Sequence, residues 1–463
     1  LIQTGTFLRL IAIFEDVFAR LQVHISPKKI EDLAITVHRA MTSHGRHFHT
    51  MEHVFMFVNP ENPIQTLAGL YHDVVYYQVD MGFTPDIWNI IRSFIEFQDD
   101  SMHIATCSAR DDPRLCMTLE VFGFQTGDDL SDLGNLNEFL SALVMNCELA
   151  GILSEKDLLR LTVCIEATIP FRGSGQPGDS HFDRLEQRLK QISRKRNIPL
   201  TQHEIEETIK LAVVFANKDI ENFGEADPGY FIDNTWKLLP EMNIALRAKD
   251  AYSIKEYRQA LQNMESFLRS LNPENVFNRY GDTPPEAEYR QMVAHARQNV
   301  QVACAYLEIK LLALAILDAL AQVTGGDAPL SLFIGDLPQV DGNGARRLEH
   351  YLPRLDWPTW VDPDSELNRL LYLRLDTDTR FDLRYAALSL FLYKSLPPDT
   401  LTAYRSLANG MFADDITADE FLAQINCPTL YAIARACAEM VPTRREKLLQ
   451  YTDVLPCLSD ETV

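Results

Sequence analysis

The feature that most constrains this chain is its apolar rhythm. Hydrophobic residues recur at three- and four-residue intervals along most of its length, and the two-residue alternation of a half-buried strand is nearly missing. A pattern of that kind buries one stripe of a helix, so the expected fold is all-α. Residues 6–21 and 27–43 read as amphipathic helices, the second with Ser26 as its cap and Pro27 in its first turn. Gly45 and Arg46 break the pattern, and a short helix is expected over 50–58. The pairs Asn59-Pro60 and Asn62-Pro63 end it and open the next helix, 64–77. Helices are also expected over 86–97, 113–122, 133–150, 154–169, 183–196 and 201–223, where Thr201 and Glu204 stand at capping-box spacing. Helices over 229–246, 253–271 and 286–323 follow.

A chain of 463 residues is too long for one ordinary core. Segment 272–285, with three prolines and a glycine, marks the expected boundary between a helical domain over 1–280 and a second one over 281–463. The run Arg172 to Ser180 reads as a flexible loop, and 324–347 as an irregular connector rich in Gly, Pro and Asp. Trp357 and Trp360, in a proline-rich stretch, are expected to pin a loop to the second domain.

Charge narrows the partners. Asp and Glu outnumber Lys and Arg 65 to 43, a formal net charge of −22, which repels a nucleic-acid duplex. It leaves room for a small phosphorylated substrate, because a bound metal inverts the local field. The eight cysteines have no CxxC pairing and read as thiols of a reducing cytoplasm. The first residues lack a basic region and a small-residue cleavage site, so they read as a helix rather than a signal peptide. The most hydrophobic segment, 300–323, carries Glu308, Lys310 and Asp318, so it reads as a core helix rather than a membrane span. The expectation is a soluble cytoplasmic protein with no membrane contact.

Chemistry concentrates between Arg46 and Tyr77. Three histidines (His47, His49, His53) precede the doublet His72-Asp73, which borders the apolar stripe of helix 64–77. His49 and His53 are four apart and would share a helical face, a spacing that suits metal ligation. Asp219 falls on the apolar face of 201–223. A carboxylate drawn among apolar residues must be paired or coordinated. Each of these residues alone fits an imidazole–carboxylate or arginine clamp between helices. Together, two imidazoles and two carboxylates suit one divalent transition ion: Mn²⁺, Fe²⁺, Co²⁺, Ni²⁺ or Zn²⁺. Glu148 and Glu166 lie on neighbouring helices, where either could act as a general base or simply pack. The basic helix 183–196 could draw in an anion or be a solvated face.

The order His53, His72-Asp73, Asp219 on an all-helical background resembles the H…HD…D pattern of the HD-domain superfamily. More narrowly, RHFHTMEH followed by AGLYHDVVYY is similar to the predicted metal-dependent HD phosphohydrolases. NKDIENFG around Asp219 and FLRSLNPENVF before residue 280 carry the likeness over roughly residues 7–280. The resemblance implies an HD-type bundle with His53, His72, Asp73 and Asp219 as metal ligands, Asp73 doubling as a catalytic residue. It makes Arg46 and His49 candidates for gripping a phosphate or for supporting the ligands. His49 in place of His53 as first ligand stays open. The implied function is hydrolysis of a nucleotide or other small phosphate ester.

Two departures separate this chain from the family pattern. The acidic patch after the doublet becomes YQVDMGFTPD, leaving Asp80 as a displaced candidate. Thr168 is followed by Ile169, Pro170 and Phe171 where histidines are expected, which favours one metal over two. The alternative is a degenerate HD domain serving as a regulatory module, with the C-terminal domain contacting a protein partner. An oxygen-using di-iron enzyme would need more ligands than the sequence offers.

Overall fold

The computed structural model describes residues 5–98, 101–106, 111–130, 135–172, 180–248, 251–335, 347–372 and 386–453. The fold is predominantly helical, as the apolar rhythm requires. Cys107, Cys457 and most of the 172–180 loop lie outside the described residues, as do parts of the connector 324–347 and of segment 364–396.

Internal contacts divide the chain into two units: Leu1–Glu225 with Leu271–Arg297, and Ala226–Ser270 with Gln298–Val463. The sequence marks a single change of domain, after residue 280. The chain changes unit three times, because 226–270 folds with the C-terminal half.

The first unit carries helices α1 (Thr6–Arg20), α2 (Pro27–Met41), α3 (Met51–Phe55), α4 (Pro63–Tyr71), α5 (Tyr77–Asp80) and α6 (Pro85–Ile91). They are followed by α7 (Pro113–Phe122), α8 (Leu136–Leu149), α9 (Glu155–Ala167), α10 (His181–Lys195) and α11 (Gln202–Asp219). Helix α9 is the hub, packed by α4, α8 and α11. Its Leu159, Leu161, Val163, Cys164 and Ile165 are wholly buried, and burying each large aliphatic side chain contributes roughly 1.5–3 kcal/mol. Asn146 ties three helices from inside, donating to Thr118 Oγ1 (3.0 Å) and Thr162 Oγ1 (2.9 Å).

The expected caps form. Ser26 Oγ accepts from the Lys29 amide, and Thr201 and Glu204 close a reciprocal capping box. Some expected helices are interrupted: 229–246 breaks into Pro228–Trp236, Leu239–Met242 and a 3-10 turn over Ile244–Arg247, and 86–97 is not helical throughout. The helix stops at Ile91, and Ile95–Gln98 (β1) pairs antiparallel with Ser101–Ile104 (β2). Only Met102 and Ile104 alternate inward there, too short a period to stand out from a helical background.

In the second unit, the long helix Glu286–Gly325 supplies core from residue 298 onward, with Leu311, Ala315, Ala319 and Leu320 fully buried. Among the described residues it alone is long and apolar enough to cross a membrane, and 72% of its most apolar stretch is buried. Its Asp318 is buried against Arg258 at 3.0 Å, and Arg444 donates to the carbonyls of Ala321 and Gly326 at its end. Trp357 packs against Tyr372 (ring centroids 5.3 Å) with the Lys394 ammonium 3.7 Å above its ring, although it and Trp360 are each 43% exposed. Cysteines 116, 147, 164, 304 and 437 are free thiols, as expected, but Cys427 is disulfide-bonded, against the reading of thiols throughout.

Candidate metal centre

Two short helices and the end of a long one bring the site together. Asn59-Pro60 and Asn62-Pro63 act as the sequence suggests: the Asn62 side chain accepts from the Gln65 amide at 3.0 Å and Pro63 opens α4. The helix does not run on to Tyr77. It ends at Tyr71, and His72-Asp73 occupy the turn beyond it, where Val74 and Val75 favour leaving the helix. The doublet therefore projects from a helix terminus. Helix α3 is likewise shorter than expected and begins after an extended Thr50 (φ −106°, ψ 178°). His49 consequently lies in the preceding bend, off the helical face it was expected to share with His53.

The turn after α3 packs closely on α4 at Gly69. A Cβ there would sit 2.2 Å from Phe57 Cβ, so only glycine allows the contact that sets His53 beside His72. Asp219 is the last residue of α11. Its neighbour Asn217 exchanges two 2.8 Å hydrogen bonds with the Asn278 main chain, fixing that helix end.

His53 Nε2 and His72 Nε2 lie 3.2 Å apart. His53 Nε2 is 3.1 Å from Asp219 Oδ1 and 3.3 Å from Asp73 Oδ2. His72 Nε2 is 3.0 Å from Asp73 Oδ2 and 3.3 Å from Asp219 Oδ1. One ligand atom from each residue lies within 4.8 Å of the other three. Two donors each about 2.1 Å from an ion and at right angles sit about 3 Å apart, so these spacings match neighbouring coordination positions.

The donor set also fits by its chemistry. His72 Nδ1 donates to the Gly69 carbonyl at 2.9 Å, so in the neutral ring Nε2 turns a lone pair inward. It faces two carboxylates and a second imidazole nitrogen. Asp73 Oδ2 is buried and no N–H is aligned to it, despite two imidazole nitrogens within 3.3 Å. Acceptors converging in this way need a positive charge among them, carried by an ion or by a proton on an imidazole. Burial resists charging either ring, but Asp219 and Asp73 outweigh it, so His53 is held above its ordinary pKa and His72 well above. Burial likewise opposes ionisation of Asp73 and Asp219, yet the facing histidines draw both carboxyls down, Asp73 well below its usual range. The cluster attracts positive charge. Phe57 backs it, its ring 4.7 Å from both His72 and Phe215.

The other expected residues surround this cluster. Arg46 has a fully buried side chain that donates Nε (3.0 Å) and Nη2 (2.6 Å) to Asp80, and Nη1 (2.6 Å) to the Asp73 carbonyl. Of the two roles left open for it, this geometry fits supporting a ligand, and Asp80 is its counter-ion. His49 is half-buried, edge-on to Tyr76 at 4.7 Å, and close enough to Asp73 to lower that carboxyl. It is not one of the four converging residues; His53 is. Glu148 is held by Tyr71 Oη and Thr36 Oγ1, each at 3.0 Å, and Glu166 by Arg172, Arg188 and His181, so neither carboxylate is free to act as a base. Thr168 donates to the Ile165 carbonyl at 2.7 Å.

The sequence reading missed Glu138. It sits in the first turn of α8 between Asn137, which accepts from the Tyr77 amide, and Ser141, which accepts from the Val75 amide. Burial first, then the nearby charges of Asp73 and Asp219, raise its pKa to about 7. Its helical neighbours give no polar pattern that would single it out.

Comparisons with protein-family models, curated proteins and solved structures return no match.

Proposed function

We propose that this chain is a metal-dependent phosphohydrolase acting on a nucleotide or other small phosphate ester. The observation that carries the reading is the convergence of His53, His72, Asp73 and Asp219 from three separate parts of the chain, so that one ligand atom of each lies within 4.8 Å of the others. These four residues would hold a single divalent transition ion. When bound, such an ion supplies Lewis acidity, offsetting charge on phosphoryl oxygens and acidifying a water molecule.

The chain's own groups do the rest. Gly69 fixes the tautomer of His72 through its carbonyl. Arg46, braced by Asp80, holds the main chain of Asp73 in place. His49, beside Asp73 and against Tyr76, would donate a hydrogen bond to a phosphoryl oxygen. Glu138 is the carboxyl available to hold a proton, with a pKa near neutrality. Phe57 and Phe215 exclude water from behind the imidazoles.

A second reading makes the site a metal- or ligand-binding regulatory module. The apolar Ile169, Pro170 and Phe171 after Thr168, where the family pattern has histidines, favour it. A panel of nucleotides and simple phosphate esters with added Mn²⁺ or Ni²⁺ separates the two. Phosphate release that disappears in Asp73→Ala supports the enzyme. Stoichiometric metal with no release across the panel supports the module.

A further inference from the structure

A second constellation in the first unit is not absorbed by the four-residue cluster. A cavity of about 420 Å³ opens between the start of α8, the end of α9 and α10, lined by Asn135, Glu166, Arg172, His181, Arg184 and Arg188 among others. Its volume falls in the range of small-ligand pockets. Glu166 is buried at its base and gathers Arg172 Nη1 at 3.0 Å, Arg188 Nη2 at 2.7 Å and His181 Nε2 at 3.1 Å.

The charges do not cancel. Burial first keeps His181 below its ordinary pKa, so it meets Glu166 as a neutral donor. One carboxylate then faces two guanidiniums. Arg184, one turn before Arg188 on α10, adds a third; it is exposed and has no ion-pair partner among the described residues. Arg188 Nε is buried with no acceptor among them. A clamp built only to neutralise Glu166 needs a single guanidinium. Two guanidiniums on that carboxylate and a third lining the same cavity, in a chain of net charge −22, leave a surplus of fixed positive charge there. Glu166 holds Arg172 and Arg188 in place before any ligand arrives, which lowers the ordering cost of binding.

Glu138 feels the charges of Asp73 and Asp219 on one side and of Arg172 on the other, and Asn135, the residue before α8, lines the cavity itself.

We infer that this arginine pocket binds a second, non-reacting phosphate of the substrate, which makes the substrate class molecules carrying two phosphoryl groups. The inference rests on the phosphohydrolase reading for the word substrate, but the pocket's affinity for phosphate does not.

The test is calorimetric titration of the full chain, stripped of metal with EDTA, with inorganic pyrophosphate as the probe. One molecule should bind per chain. Arg184→Gln should weaken binding about tenfold or more, the loss of one charge-assisted hydrogen bond. Arg194→Gln removes the same charge from the same helix outside the pocket and should leave affinity within about twofold. Absence of binding to the wild-type chain, or equal losses in the two variants, would overturn the inference. Asp73→Ala should bind pyrophosphate as the wild type does. The pocket is therefore supported even if no ester is hydrolysed, and fails without pyrophosphate binding even if one is. In an active enzyme, Arg184→Gln should raise KM for a doubly phosphorylated substrate with little change in kcat.

Discussion

The Nδ1 atom of His72 and the carbonyl of Gly69 are 2.9 Å apart, and this bond decides what the opposite face of the ring offers. With the proton on Nδ1, the neutral ring turns an acceptor toward Asp73, Asp219 and His53. Replacing His72 by Gln keeps a polar side chain but loses the rigid, oriented nitrogen. Metal affinity is expected to fall by about 100-fold or more while the helical circular dichroism signal is unchanged. Titration of the stripped protein with Mn²⁺ or Ni²⁺ measures it, and an unchanged affinity would remove His72 from the ligand set.

Arg46 and Asp80 form a buried bidentate pair that also grips the Asp73 main chain. Arg46→Met leaves Asp80 without its cation, and a loss of about 3 kcal/mol in stability is expected, read by urea denaturation. The double variant Arg46→Met with Asp80→Leu should recover most of that loss, because both buried charges are then gone. Recovery of stability without recovery of metal affinity would identify Arg46 as a support for Asp73.

Gly69 offers a steric test. An alanine methyl would meet Phe57 Cβ at 2.2 Å, so the turn after α3 must move away from α4. Gly69→Ala should cost about 1–3 kcal/mol and weaken metal binding, since His53 and His72 ride on those two helices. A stable variant with full metal affinity would show that the close approach is not what aligns the imidazoles.

Much of the centre was legible in the sequence, and the reasons are physical. His72-Asp73 and Asp219 stand out because an acid or imidazole beside an apolar stripe needs a partner, whereas His53 is marked only by its spacing from His49 and by the family resemblance. The all-α fold followed from periodicity. What stayed hidden depends on tertiary placement. Nothing local shows that Arg46 meets Asp80 across 34 residues, or that Glu138, in the first turn of α8, lies within electrostatic reach of Asp73. The move of 226–270 into the C-terminal unit is equally invisible, because a helix pattern records which face is buried and not against what.

Glu166 gives a pH signature separate from the metal. Burial opposes its ionisation, but Arg172, His181 and Arg188 outweigh it and hold its pKa at about 2. A folded-state pKa below the unfolded one gives stability that is complete above about pH 4.5 and is lost as the pH falls toward 2. The stability gap between wild type and Glu166→Gln should therefore be largest near neutrality, about 3 kcal/mol, and should shrink across that acidic window. A gap independent of pH would show that Glu166 is not ionised in the folded protein.

Glu138→Gln separates binding from turnover. Metal content should match the wild type, since Glu138 is not among the four converging residues, while kcat should fall about 100-fold and lose its limb near pH 7. Unchanged kcat and an unchanged pH profile would exclude Glu138 from proton transfer.

The most direct measurement is elemental analysis of the purified full chain after equilibration with a divalent transition ion and removal of the excess. The account requires one ion per wild-type chain and none in His53→Ala, His72→Ala, Asp73→Ala or Asp219→Ala. A wild-type chain that retains no ion, or four variants that retain it as well as the wild type does, would contradict it.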